Sequence, residues 1–181
     1  MKKLLSLLFL TFCVQSLSAQ DLVGRKIISG SVNVSVIAPG VDQSHIVNIA
    51  SSVLTGKIKE NLTYWAWGGN FSIASSSPND IITVGPSVER GKFILLVDKL
   101  YLAPYLGGNI SGTFAGNTGG IQVGAYASPL RFMYHLKENF LISAGFGAAG
   151  LSYSNISGSQ IFSLNASLTN HSSFGVFYTF K

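Results

Sequence analysis

Four ionisable residues stand inside otherwise apolar, alternating stretches of this 181-residue chain: Glu89, Arg90, Lys92 and Arg131. A carboxylate and a guanidinium kept from water can neutralise each other as a buried pair, or can line a proton or ion pathway. His171 and Ser173 stand two apart, a spacing that puts both side chains on one face of a strand, where an imidazole could serve as base to a hydroxyl nucleophile. No third, orienting carboxylate accompanies them, so a turn or bulge at 170–173 is the plainer expectation. His45 and His135 have no metal-ligating neighbour at helical or hairpin spacing and are expected to be a loop residue and a turn-flanking residue. No glycine-rich loop stands between a strand and a helix to cradle phosphate. Triplets such as Asn61-Leu62-Thr63 arise by chance in a chain this rich in Asn and Ser.

Lys2 and Lys3 form a positive segment, Leu4 to Val14 an apolar one, and Leu17-Ser18-Ala19 supplies small residues before Gln20. This pattern predicts a secretory signal peptide over 1–19, leaving 20–181 as a single domain. The only cysteine, Cys13, falls inside the signal, behind a bulky Phe12 that does not suit lipoprotein cleavage. The mature chain is therefore expected to hold no disulfide, thiol nucleophile or cysteine-bound metal. Losing Lys2 and Lys3 leaves ten of the 12 basic residues against seven acidic ones, too small an excess to point to nucleic acid.

Period 2 dominates the rest. Ile28, Gly30, Val32, Val34 and Val36 alternate with Ser29, Ser31, Asn33 and Ser35; the pattern returns from Ile121 to Ser128 and from Phe162 to Thr169. Breaks rich in Gly, Pro, Asn, Asp and Lys divide the chain into eight strands near 25–38, 43–56, 62–74, 81–97, 100–115, 120–136, 140–154 and 160–180. Each has at least the roughly 9–11 residues with which a tilted strand crosses a bilayer. The chain is 47% hydrophobic, 12% aromatic and only 10% charged, against about 25% charged in an ordinary soluble domain. It contains no apolar run of about 18 residues, which argues against helical membrane spans.

The polar face decides between a soluble and a membrane barrel. Its residues are mostly Ser, Asn, Thr, Gly and Gln rather than Lys and Glu, as suits a narrow, filled lumen with the apolar face turned to lipid. Most charges lie at or beside breaks that share one end with the termini: Arg25, Lys26, Lys57, Lys59, Glu60, Asp98, Lys99, Lys137, Glu138 and Lys181. Only Asp42, His45 and Asp80 lie near the other breaks. Tyr64, Trp65, Trp67, Phe93, Tyr101, Phe132, Tyr134, Phe140, Tyr178 and Phe180 crowd the charged end, where an interfacial aromatic belt is expected.

A cleaved signal, eight alternating strands, charged turns and the ending Phe174-Gly175-Val176-Phe177-Tyr178-Thr179-Phe180-Lys181 together resemble the small bacterial outer-membrane β-barrel family. The resemblance covers the mature chain and implies an eight-stranded antiparallel up-and-down transmembrane β-barrel in the bacterial outer membrane. It also implies a C-terminal strand read by the barrel-assembly machinery, although Lys181 follows the last aromatic, Phe180. It carries no catalytic residue with it.

Parity assigns the embedded charges. Glu89 shares the face of Thr83, Gly85 and Ser87 and should point inward, whereas Arg90 and Lys92 lie close enough to the charged end to reach the interface. Arg131 has the parity of Ile121 and Val123, so an inward Arg131 requires a bulge, with Pro129 as the site. The expectation is a Glu89–Arg131 pair that fills and rigidifies the lumen, in a barrel too narrow for a diffusion pore. The function expected is structural or surface interaction, without enzymatic activity, cofactor, metal or nucleic-acid partner, in a monomer surrounded by outer-membrane lipid. Two alternatives remain: a barrel-wall lipid A-modifying hydrolase that uses His171 and Ser173, similar to outer-membrane deacylases, and a soluble lipocalin-like barrel with an apolar interior.

Overall fold

The computed structural model describes residues 22–37, 46–76 and 79–181. The signal segment with Cys13, and the loop containing Asp42 and His45, lie outside the described residues. Eleven strand segments follow one another: β1 (Lys26–Ile37), β2 (Ile46–Ile58), β3 (Thr63–Ser76), β4 (Asn79–Lys92), β5 (Ile94–Val97), β6 (Leu100–Leu102), β7 (Tyr105–Ala115), β8 (Thr118–Ser128), β9 (Leu130–Lys137), β10 (Phe140–Ile156) and β11 (Ser159–Phe180).

They form one antiparallel ring. β1, β2, β3 and β4 pair in order, β4 pairs with β7, β7 with β8, β8 with β10, β10 with β11, and β11 closes on β1 through partners running from Lys26↔Phe180 to Val34↔Ser172. The short segments β5, β6 and β9 prolong β4, β7 and β8 toward one rim and pair among themselves and with β10. The wall is thus an eight-stranded up-and-down barrel, with the strands where period 2 placed them. Closure pairs each of the eight wall strands on both sides and leaves only the short segment β5 with a single partner strand, β6.

Three of the expected strands are interrupted, at Phe93, at Ala103-Pro104 and at Pro129. Pro104 and Pro129 have no N–H to give to a ladder, so the chain breaks its regular pairing there. Pro129 does more. Between the partners Tyr105↔Ser128 and Leu102↔Phe132 the chain advances three residues on one strand and four on the other, the signature of a bulge. The extra residue reverses the in–out sense, so that Ser128 and Arg131 both face the lumen while Leu130 stays outside. A matching reversal lies opposite, in β10, at Gly147 with φ 74°. A left-handed backbone angle of this kind favours glycine. The Ser128 hydroxyl ties the two sites together by donating to the Gly147 carbonyl at 3.1 Å.

Turns differ between the two ends. The β7–β8 and β10–β11 connections are two-residue hairpins, with Gly116 at φ 57° and the pair Ser157 and Gly158 at φ 50° and 85°, as tight hairpin turns require. The other end, called basal here, carries the C-terminus, the described N-terminal residues and the charged turns at 59–62, 98–99 and 138–139. Arg25 pins the N-terminal segment there by donating to the Glu138 carbonyl at 2.7 Å and to Asn139 Oδ1 at 2.8 Å.

Candidate functional site

The inward side chains divide the lumen into three levels. At the basal end large apolar groups meet across the axis: Leu22, Ile27, Ile58, Phe93, Tyr101, Met133 and Leu141 are all essentially inaccessible to solvent. The Phe93 ring lies 5.4 Å from Tyr64 and 6.0 Å from Tyr101, edge-on to the latter, a geometry favoured between aromatic quadrupoles. This apolar plug closes the barrel.

Above it lies the ion pair. Arg131 Nη2 is 2.9 Å from Glu89 Oε1, and both side chains are buried. Tyr64 hydroxyl donates to Glu89 Oε1 and accepts from Arg131 Nη2, so the three groups form a closed triangle. Arg131 Nε donates to the Ala103 carbonyl at 3.2 Å, an acceptor placed inward beside the break at Pro104. The guanidinium also lies 4.0 Å from the Tyr105 ring centroid and 5.1 Å from that of Phe177. Charge neutralisation, hydrogen bonds and cation–π contacts together replace the water that burial removes.

The third level is a polar well of about 460 Å³, floored by Glu89, Arg131, Tyr105, Tyr126 and Phe177. Its walls are neutral and small. Ser31 and Ser52 hydroxyls share a hydrogen bond of 2.7 Å, and Asn109 Nδ2 donates to Ser111 Oγ at 2.9 Å. The lumen is therefore not filled along its whole length, as the small polar residues had suggested. Those residues accept burial on polar grounds but are too short to meet across the axis.

The outer wall carries the large apolar side chains. Val32, Val34 and Trp65 are each 49% exposed and Phe146 48%, and Val53, Ile110, Leu106 and Phe162 are more so. The aromatic belt needs a correction. Trp65, Trp67, Tyr134 and Tyr178 project outward, but Tyr64, Phe93 and Tyr101 point inward and build the plug. Tyr64 has the parity of Ala66, Gly68 and Asn70 on the inner face of β3, so alternation already carried that signal; proximity to the charged end obscured it.

Of the residues whose chemistry stood out in the sequence, Glu89 and Arg131 come together as expected. Arg90 and Lys92 face outward near the basal rim, with the Arg90 guanidinium 5.5 Å from the Trp65 ring centroid. His135 sits on the inward side of β9 opposite Leu141, and its Nε2 meets no hydrogen-bond partner among the described residues. The β10–β11 pairing steps from Phe146↔Ser172 to Ala148↔Ser167, which places an irregularity of β11 beside 170–173. Ser173 lines the well; the His171 side chain lies outside the described residues. Tyr64 and Tyr105, which complete the surroundings of Arg131, were not singled out from the sequence as its partners.

Ring, plug, ion pair and apolar outer wall define a closed eight-stranded β-barrel whose polar well is shut off at the basal end by the plug. No protein-family model matches the chain, and no curated protein matches it. Eight chains of solved structures match. One is described as the crystal structure of Neisserial surface protein A (NspA); it is 15% identical, the match covers 87% of this chain and 97% of that one, and the TM-score is 0.46.

Proposed function

We propose that the chain is an integral protein of the bacterial outer membrane, with a structural or surface-interaction role and no catalytic activity. The observation that carries this reading is the outward apolar wall. Side chains such as Val32, Val53, Ile110 and Leu164 stand between a charged basal rim and tight hairpin turns, an arrangement that water would penalise and lipid rewards. On this reading outer-membrane lipid is the solvent of the wall, the barrel is a monomer, and the barrel-assembly machinery acts on β11.

The rivals fare worse on named features. A lipocalin-type carrier needs an apolar cavity and a wetted exterior, the reverse of the well and wall described above. A lipid-modifying hydrolase needs its nucleophile within reach of a lipid; Ser173 instead lines the lumen. The two-residue hairpins at 116–117 and 157–158 leave no folded loop there for recognition. The plug argues equally against a permanent pore.

The protein should fractionate with outer membranes and run with heat-modifiable mobility on detergent gels. Purification as a freely soluble periplasmic protein would overturn the reading. An unchanged lipid A profile after gene deletion, and no conductance in planar bilayers, are the outcomes expected for a non-enzymatic, closed barrel.

A further inference from the structure

We propose that the basal rim of β1 to β4 is a binding site for the phosphate of an anionic glycerophospholipid, held between Lys26 and Lys57 with Arg90 beside it. The proposal rests on the membrane-barrel reading above and adds a ligand class and a place to it.

Register puts the groups in one row. Lys26 pairs with Lys57, Lys57 with Trp65 and Trp65 with Arg90, and all four side chains face outward. Strands about 4.8 Å apart make this a continuous band of about 14 Å across the wall. Lys26 and Lys57 are directly opposite each other on neighbouring strands, an arrangement that like charges disfavour unless an anion lies between them. None of Lys26, Lys57, Arg90 and Lys92 forms an ion pair among the described residues. The acids of this wall lie elsewhere: Glu89 is in the lumen, Asp80 takes a hydrogen bond from Ser75 at the opposite end, and Glu60 is in the basal turn beyond the row.

What surrounds the row matches a headgroup boundary. The next outward positions toward the barrel's middle are Ile28, Thr55, Trp67 and Val88, paired in the same order, and they offer an apolar surface to acyl chains. Lys26 Nζ lies 5.9 Å from the Phe180 ring centroid and the Arg90 guanidinium 5.5 Å from that of Trp65, so aromatic rings flank the cations. The basal turns compensate their own charge all round the rim, Lys59 beside Glu60, Asp98 beside Lys99 and Lys137 beside Glu138, so the uncompensated strand-borne cations are those of this wall, Lys26, Lys57, Arg90 and Lys92. A bilayer of zwitterionic lipid would meet this wall and the far one equally; an anionic phosphate distinguishes them.

Trp65 and Trp67, the chain's two tryptophans, sit in and beside the row and report on it directly. The full barrel, inserted in bilayers of phosphatidylcholine, would be challenged with brominated phosphatidylglycerol or brominated phosphatidylcholine at low salt, and tryptophan quenching recorded. Phosphatidylglycerol should associate at least about tenfold more strongly, since each basic group contributes about 1 kcal/mol and about 1.4 kcal/mol is tenfold. The preference should fall to near unity in Lys26→Gln/Lys57→Gln and weaken in Arg90→Gln, while Lys137→Gln on the far wall leaves it intact. Each variant is checked for heat-modifiable folding first. Equal quenching by the two lipids in the unaltered protein, or a preference that survives the double change, overturns the site and leaves the membrane-barrel reading standing. Loss of the preference on adding inorganic phosphate at constant ionic strength would also overturn it, by reassigning the row to a free anion. Quenching by neither lipid would overturn the site and the membrane-barrel reading together.

Discussion

The plug and the well are built by the same eight strands, alternating in and out with the sense reset only at Pro129 and Gly147, yet one is solid and the other hollow. In the plug the inward positions are Tyr64, Phe93, Tyr101, Met133 and Leu141; in the well they are Ser31, Ser52, Asn70, Asn109 and Gln122. Alternation decides which side chains enter the lumen. Their length decides whether they meet. The Glu89–Arg131 pair stands at the boundary and closes the floor of the well against the apolar level beneath.

This contrast can be tested by unfolding folded barrels with urea in detergent micelles, followed by tryptophan fluorescence. The largest effect should come at the boundary: Glu89→Ala strands a buried guanidinium and should cost about 3–5 kcal/mol, whereas Glu89→Leu combined with Arg131→Met should recover most of that loss. Failure of the double change to recover stability would mean that the pair is needed for more than charge balance. Next, Leu141→Ala opens a cavity in the plug and should cost about 2–5 kcal/mol. The smallest effect belongs to the well, where Ser52→Ala removes one hydrogen bond beside existing open space and should cost about 1 kcal/mol or less. Comparable losses for Leu141→Ala and Ser52→Ala would erase the distinction between the levels.

The barrel itself was legible in the sequence because period 2 is a one-dimensional signal. The same holds for the inward Glu89 and the outward Arg90, which follow from counting residues along a strand, whereas the bulge at Pro129 comes from requiring a partner for Glu89 against the count. Two features were not legible. The partition of the aromatics required weighing parity above nearness to a charged turn, and Tyr64, Phe93 and Tyr101 were drawn to the wrong face of the wall. The well required knowing how far apart facing side chains are, a property of ring closure and strand tilt that no single strand contains. The reversal at Gly147 was hidden because a glycine marks no face, so its neighbours Gly145, Ala148 and Ala149 blur the alternation on both sides.

Pro129 and Gly147 give the wall an unusual relation to insertions and deletions. A barrel strand keeps count of its residues only modulo two: losing one residue from the middle of β2 or β3 would turn every side chain beyond the gap from lipid to lumen, or the reverse. At the two bulges the count already carries a spare. Without Pro129 the sequence would still pass from an inward Ser128 through an outward Leu130 to an inward Arg131, and without Gly147 from an outward Phe146 to an inward Ala148 and an outward Ala149. Because the two spares face each other across neighbouring strands, losing both leaves Ala127 opposite Ala149 and Leu130 opposite Phe146, as they are now. A one-residue deletion would invert the barrel wall at most positions, but at this matched pair it would only straighten it.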